Sequence, residues 1–388
     1  MKTKVQKIAL VGNHARWVYQ FRLGLLKKLK ELGLKVVVLA NPDPFEQKLQ
    51  KEGIDFEPIH INFYGNNPLQ DLRLALQLFR LYRKHRFDHI IHFTIKPNIF
   101  GGLAARFAGI PSFAVVTGLG HVMNEKNPPS SRIGRFLYKV TLGLHKKVIV
   151  LNEQDAEDLI GRHMVKPGRL ELLPGEGVDT QFYRPLSDKK MRDYPAFLFS
   201  GRLIRDKGIF EFVEAARIIK ARYPETRFRI LGMLDPLGIH SLPVSTLQEW
   251  VRQGWIEYIG ETVDVRPYVA KADCLVLPSY YREGMSRVLM EAASMETPII
   301  TTRQPGCQEM VDDGRTVLLC QSRNPQDLAE KMEQFIRLDK IDRLIMGKNA
   351  RIKMQREFEE RFIIQRYLDL LSETLNLQLP NTVSSLIK

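Results

Sequence analysis

The chain has 388 residues, 58 Lys and Arg against 44 Asp and Glu, a net charge of +14 and 44% apolar residues. That length suits two domains, each with its own core, and no run of about eighteen apolar residues is present to form a spanning helix. The positive charge calls for an acidic partner: a nucleic acid, an anionic membrane or a phosphorylated small molecule.

Residues 1–7 lead straight into an apolar run without a secretory-signal pattern, so the cytoplasm is the expected compartment. Apolar strand-like runs then alternate with amphipathic ones: 8–11 with 18–32, 35–39 with 45–51, 56–61 with 69–82, and 89–95 with 99–108. The series continues through 113–116, 133–144, 148–151, 156–162 and 169–173. Such alternation predicts a parallel sheet covered by helices on both faces. Arg132, Arg135 and Lys139 recur at helical spacing among Ile133, Phe136, Leu137 and Val140. This pattern fits a basic helix lying on an anionic membrane, or an ordinary surface helix with snorkelling cations.

The Pro- and Gly-rich stretch 174–185 and the polar 187–190 read as a linker. A second alternating series follows: 196–199, 209–219, 228–231, 245–251, 256–259, 265–270, 274–277, 285–293, 298–300, 307–311, 316–319 and 328–336. The expected fold is therefore α/β, with two Rossmann-like, doubly wound domains facing each other across a cleft. Their expected bounds are 1–185 and 186–360, with a helical segment 361–388 packing back toward the first; the helical pattern itself starts near residue 342. Ligands of such sheets sit at the carboxyl ends of the strands.

Chemistry concentrates in the second series. Gly201 ends a strand and Gly208 precedes a helix, a place where amide groups and the positive dipole end favour phosphate, with Arg202 and Lys207 supplying charge. The same glycines also suit ordinary turns beside exposed cations. Glu283 and Glu291 stand eight residues apart across an expected helix start. Glu291 lies beside a core-facing stripe formed by Met285, Val288, Leu289 and Ala292, where a polyol such as ribose would satisfy a carboxylate. A solvated position or a charge favouring the helix dipole is the alternative.

No D-x-D, C-x-x-C or P-loop motif occurs, and Cys274, Cys307 and Cys320 cannot all pair, so no metal site is expected. His85, His89 and His92 read as structural, since His89 and His92 fall on opposite faces of an expected strand. Gly12 closes the first strand and would let a phosphate or sugar approach, and Lys96, after another strand, would meet an acceptor diphosphate or stay solvated.

Taken together, Ser200-Gly-Arg-Leu with Lys207-Gly, Pro278-Ser, Arg282-Glu-Gly with Glu291-Ala, and Pro305-Gly-Cys-Gln-Glu309 resemble the retaining glycosyltransferases of family four, which have the GT-B fold. His92-Phe-Thr-Ile-Lys96-Pro, Thr117-Gly-Leu-Gly120 and Gly175-Glu-Gly-Val-Asp179 resemble the subgroup that extends polyprenyl-diphosphate-linked sugars. The resemblance implies a UDP-sugar donor carrying an N-acetylhexosamine or related hexose, a lipid-linked sugar acceptor, no metal or other cofactor, and a place on the inner face of the membrane. It assigns Arg202 and Lys207 to the donor diphosphate, Glu291 to the ribose, and Glu283 with the amides of Gly284, Met285 and Ser286 to the transferred sugar. His121 is the first-domain group assigned near that sugar.

Eight residues of helix rise about 12 Å, the reach from sugar to ribose. That is too far for a glycosidase pair, whose carboxylates sit about 5 Å apart, which leaves front-face attack by the acceptor. A non-hydrolysing UDP-sugar 2-epimerase would share the fold but needs acid and base groups at the sugar C2. A nucleic-acid-binding protein would explain the charge, but no nucleic-acid motif accompanies it.

Overall fold

Strand β1 (Lys7–His14) shows how the first unit is layered: Ile8 and Leu10 enter one core while Ala9 and Val11 enter another on the opposite face. Residues alternate across a strand, so a sheet buried on both sides needs such continuous apolar runs. The computed structural model describes residues 5–62, 67–119, 130–186, 191–234 and 241–375, with backbone alone at 130–133. Two compact units result: Met1–Leu173 with Arg361–Lys388, and Pro174–Glu360.

In the first unit β1 is followed by α1 (Ala15–Glu31), β2 (Lys35–Asn41), α2 (Glu46–Lys51), β3 (Asp55–Pro58), α3 (Pro68–His85) and β4 (His89–Phe93). A π-helical turn, Pro97–Gly101, then leads into α4 (Gly102–Ala108), β5 (Ser112–Val116), α5 (Ser130–Leu142), β6 (Lys147–Val150), α6 (Glu153–Gly161) and β7 (Leu170–Leu172). All seven strands are parallel in the order β3-β2-β1-β4-β5-β6-β7, so the winding reverses between β1 and β4. Just past β4, Thr94 adopts φ +72 and its Oγ1 donates to Asn13 Oδ1 at 2.8 Å. A positive φ is uncommon for a β-branched residue, and it falls at the reversal, where doubly wound sheets hold ligands.

The second unit runs β8 (Ala196–Ser200), α7 (Ile209–Arg222), β9 (Arg227–Leu231), α8 (Val244–Arg252), β10 (Glu257–Gly260), α9 (Arg266–Lys271) and β11 (Cys274–Leu277). It continues with α10 (Arg287–Ser294), β12 (Ile299–Thr302), β13 (Val317–Cys320), α11 (Pro325–Arg337) and α12 (Lys340–Glu357). Its six parallel strands are ordered β10-β9-β8-β11-β12-β13, and the reversal lies between β8 and β11.

The structure differs from the sequence reading in three places. The units divide at Leu173, because the expected linker folds into the second unit: Val178 is fully buried in its core and Tyr183 packs against it. Helix α12 stays on the second unit through Met346, Ala350 and Met354, so the segment returning to the first begins later than residue 342. The returning helix, α13 (Glu360–Leu375), buries Ile363, Tyr367, Leu368, Leu370 and Leu371 in the first unit's core. Residues 307–311 form only a single 3-10 turn, Gln308–Met310.

Candidate donor-binding site

The sequence-predicted groups of the second unit converge where its sheet reverses. Strand β8 delivers Gly201 and Arg202 at its carboxyl end, and β11 delivers Pro278 to Glu283 at the neighbouring one. Gly208 caps α7 at φ +78, and a side chain there would place its Cβ 2.2 Å from the Pro278 carbonyl oxygen. The missing side chain lets the two loops close on each other. Tyr280 and Tyr281 reinforce this closure, each donating its backbone N–H to the Asp206 carbonyl at 2.9 Å.

Lys207 and Glu283 meet as an ion pair, Nζ to Oε1, with side chains only 11% and 13% exposed. Ser279 Oγ donates to the same carboxylate oxygen at 3.3 Å. The Arg202 guanidinium lies 5.8 Å and the Lys207 ammonium 5.7 Å from the centroid of the Tyr281 ring. Burial raises the Tyr281 phenol's pKa, against the pull of Arg202. Two cations, a carboxylate and an aromatic face thus share one corner.

Beyond that corner the chain departs from the expected geometry. Helix α10 begins at Arg287, so Glu283 sits in the preceding turn and the helical rise of about 12 Å does not describe its separation from Glu291. The turn is held by the Pro305–Gly306–Cys307 segment, with the Ser286 N–H donating to the Gly306 carbonyl at 2.7 Å. The Ser286 amide is therefore engaged within the protein, a correction to its expected role. Its Oγ, in contrast, is buried with no hydrogen-bond partner among the described residues. Met285 is 8% exposed and packs in the core, with its side chain against Gly175. Gly284 is buried in the same turn.

Glu291 is 8% exposed on α10. Burial raises its pKa, and Arg287 and the Tyr183 hydroxyl oppose that rise. Arg287 Nε lies 3.2 Å from Glu291 Oε1, and its Nη1 donates to the Gly177 carbonyl at 2.8 Å. Burial and the Glu291 charge together push the Tyr183 hydroxyl pKa upward. Tyr183 and Arg287 are site residues the sequence reading missed. Arg287 was legible as an i, i+4 partner of Glu291, whereas nothing local marks Tyr183, inside an apparent linker.

The first-unit candidates fare differently. Gly12 lies inside β1, at a register shift between Val11 and His14, and a Cβ there would come 2.9 Å from Val18 Cγ2. The close approach at Gly12 is made by α1. Lys96 is paired with Asp71 at 2.6 Å, both largely buried. His121 lies outside the described residues. His92 Nε2 shares a hydrogen bond with the Tyr82 hydroxyl at 2.9 Å, and His85 Nε2 lies 2.7 Å from Glu57 Oε1. His89 packs edge-on to Phe113 with ring centroids 4.1 Å apart. Among the described residues no group of three or more His, Cys, Asp or Glu is arranged to hold a metal ion.

Residues 194–337 match the Glycosyl transferases group 1 family, and residues 7–152 match the Glycosyl transferase 4-like family. The chain is 27% identical over 386 residues to the N,N'-diacetylbacillosaminyl-diphospho-undecaprenol alpha-1,3-N-acetylgalactosaminyltransferase of Campylobacter jejuni, covering 95% of this chain and 99% of that protein. It is 26% identical to an Escherichia coli UDP-Gal:alpha-D-GlcNAc-diphosphoundecaprenol alpha-1,3-galactosyltransferase, over 75% of this chain and 76% of that one. Among solved structures, a glycosyltransferase from Rickettsia africae superposes with a TM-score of 0.78 at 19% identity, covering 96% and 99% of the two chains. Anabaena HepE, in complex with UDP and glucose, superposes with a TM-score of 0.77 at 18% identity, covering 95% and 99%. With two parallel-sheet units, both family matches and this shared fold, the chain belongs to the GT-B glycosyltransferases, its first unit glycosyl transferase 4-like and its second of group 1.

Proposed function

We propose that the second unit holds a UDP-sugar and that the enzyme passes an N-acetylhexosamine, with retention of anomeric configuration, to a polyprenyl-diphosphate-linked saccharide. The observation that carries this reading is the Lys207–Glu283 pair beside Arg202, seated where β8 and β11 end and the sheet reverses. A diphosphate needs cations and a sugar needs hydroxyl acceptors, and the pair supplies both within one contact. An ammonium has three donors, so pairing with Glu283 still leaves Lys207 hydrogens for phosphate oxygens. Glu291, set in place by Arg287 and Tyr183, is the acceptor proposed for the ribose hydroxyls. The buried Ser286 hydroxyl adds a polar group beside the sugar position.

In the proposed reaction the bond from the sugar C1 to the β-phosphate oxygen breaks while a bond from C1 to the acceptor oxygen forms on the same face. The acceptor proton passes to the departing phosphate, and Arg202 and Lys207 stabilise the charge that grows there. These cations take the part that a divalent metal plays in other transferases, so the reaction is proposed to need none. By resemblance His121 is assigned to the transferred sugar. The named activities of the Campylobacter and Escherichia relatives support a lipid-linked acceptor, and hence work at the inner face of a membrane.

The test is turnover with UDP-N-acetylgalactosamine, UDP-N-acetylglucosamine and GDP-mannose, each with lipid-linked acceptors and with or without EDTA. Transfer from one UDP-sugar that survives EDTA is expected. Transfer from GDP-mannose alone would overturn the donor class, and loss of activity in EDTA would overturn the metal-free mechanism.

A further inference from the structure

Three helices of the first unit lie side by side on one face of its sheet. Helices α3 and α4 share a core with Ala9 and Val11, α5 covers Ala114 and Val116 farther along, and α1, α2 and α13 occupy the opposite face. Their inward residues are accounted for: Leu74, Leu78 and Tyr82 of α3, Ala104 and Ala105 of α4, Tyr138 and Leu142 of α5. The outward residues are not what a solvated layer carries. Leu69, Leu72 and Leu76 form a stripe at helical spacing on α3 and are 68%, 56% and 46% exposed. Phe107 on α4 is 78% exposed, and Phe136 and Val140 on α5 are 65% and 47% exposed. Phe136 and Val140, two of the apolar residues interleaved with Arg135 and Lys139, thus point away from the core.

Charge completes the pattern. Exposed Arg73, Arg80 and Arg83 continue along the same side of α3, Arg106 adjoins Phe107, and Lys139 lies between Phe136 and Val140. Helices α4 and α5 contain no Asp or Glu. Helix α6, packed beside α5 through Ala156 and Leu159, is the reverse: Glu153 and Glu157 are exposed and Asp158 is half-buried, with no cation in its nine residues. Large apolar side chains left exposed on three neighbouring helices and interleaved with cations match the boundary between anionic headgroups and acyl chains.

We infer that the outer face of α3, α4 and α5 docks on an anionic lipid bilayer, inserting the leucine ridge and the two phenylalanines while acidic α6 is held off and sets the orientation. No helix among the described residues is long and apolar enough to cross a membrane, so this is attachment in the interfacial plane. The purpose of the docking rests on the lipid-linked acceptor reading, but its existence does not.

The experiment uses the full chain and vesicles that contain no acceptor lipid. Co-sedimentation with phosphatidylcholine vesicles is compared with vesicles that also contain phosphatidylglycerol, at low and high salt. The wild type is expected to prefer the anionic vesicles and to lose that preference in salt. The triple variant Leu69→Gln, Leu72→Gln, Leu76→Gln should bind both vesicle types at least about tenfold more weakly, since each lost apolar insertion removes transfer free energy. Arg73→Gln, Arg80→Gln and Arg106→Gln should cost only the anionic preference, about fivefold per charge. Both variants are expected to keep the wild-type melting temperature and turnover on a water-soluble short-chain acceptor. Unchanged vesicle binding by the leucine variant would overturn the inference. So would a lipid-free wild-type dimer that the leucine variant converts to monomer, because a second copy would then cover the face. A protein that binds vesicles as described but does not transfer sugar to lipid-linked acceptors would leave the docking face standing and remove the acceptor reading.

Discussion

The Lys207 ammonium and the Glu283 carboxylate neutralise each other across 76 residues of chain, joining the loop after β8 to the loop after β11. Each side chain is mostly removed from water, so each depends on the other. Removing one partner from such a pair leaves an uncompensated charge, which costs more than removing both.

That asymmetry gives a prediction. Lys207→Ala should lower stability by about 3 kcal/mol, while Lys207→Met with Glu283→Gln should recover most of that loss. Transfer should stay depressed in both, by about a hundredfold in kcat, because the charge-stabilising cation is gone. Urea unfolding and steady-state kinetics read the two effects separately. Recovery of turnover along with stability would mean that the pair only supports the fold.

Glu291 should act on donor affinity. Glu291→Ala is expected to raise the donor KM by about tenfold to a hundredfold, the worth of a hydrogen bond to a charged group, with little change in kcat. Tyr183→Phe removes a hydrogen bond that holds down the Glu291 pKa, so that pKa rises further. The acid limb of donor affinity should accordingly move to higher pH in this variant. Isothermal titration with the nucleotide sugar across a pH series checks it; an unmoved limb would take Glu291 out of the donor contacts.

Gly208→Ala should be poorly tolerated although it adds one methyl group. The residue sits at φ +78 with the Pro278 carbonyl in the way, so the substitution is expected to cost well over about 1 kcal/mol and to pry the two loops apart. A reduced thermal shift on adding the UDP-sugar, beyond the loss in the unliganded melting temperature, is the expected signature.

Acid should destabilise the first unit through its buried histidines. Burial foremost, with the His145 charge, lowers the His89 pKa to about 3, and burial lowers that of His145 to about 4. Their unfolded counterparts titrate near about 6.5, so the unfolded chain binds more protons below that pH. Stability from these groups is intact above the unfolded value and falls as pH drops from there toward 4, by about 1.4 kcal/mol per pH unit per histidine. Both ring nitrogens of His89 are without a hydrogen-bond partner among the described residues. His89→Phe should therefore stabilise the protein by about 1 kcal/mol at neutral pH and flatten the acid slope. Melting temperatures between pH 7 and 5 test both.

Most of the secondary structure was legible because its signals are local. The stripe Ile209, Phe212, Val213, Ala216 and Ile219 is the buried face of α7, and the continuous run of β8 is buried at every residue. Misreadings arose where local chemistry and tertiary burial disagree. The stretch 174–185 has the Pro and Gly content of a linker, yet Val178 and Tyr183 give it enough apolar surface to join a core. The apolar stripe beginning at Met285 suggested a helix start two residues before α10, but the turn there is drawn toward Gly306.

From residue order alone came the two alternating α/β series, the phosphate-favouring turn around Arg202 and Lys207, and the carboxylates Glu283 and Glu291, because periodicity and motif spacing are properties of neighbours along the chain. The order of strands was decided only by folding, and with it the reversal that sets the end of β8 beside the end of β11. The contacts of Lys207 with Glu283 and of Tyr183 with Glu291 join residues 76 and 108 positions apart. Such pairings depend on which surfaces can be buried together, and no local pattern encodes that.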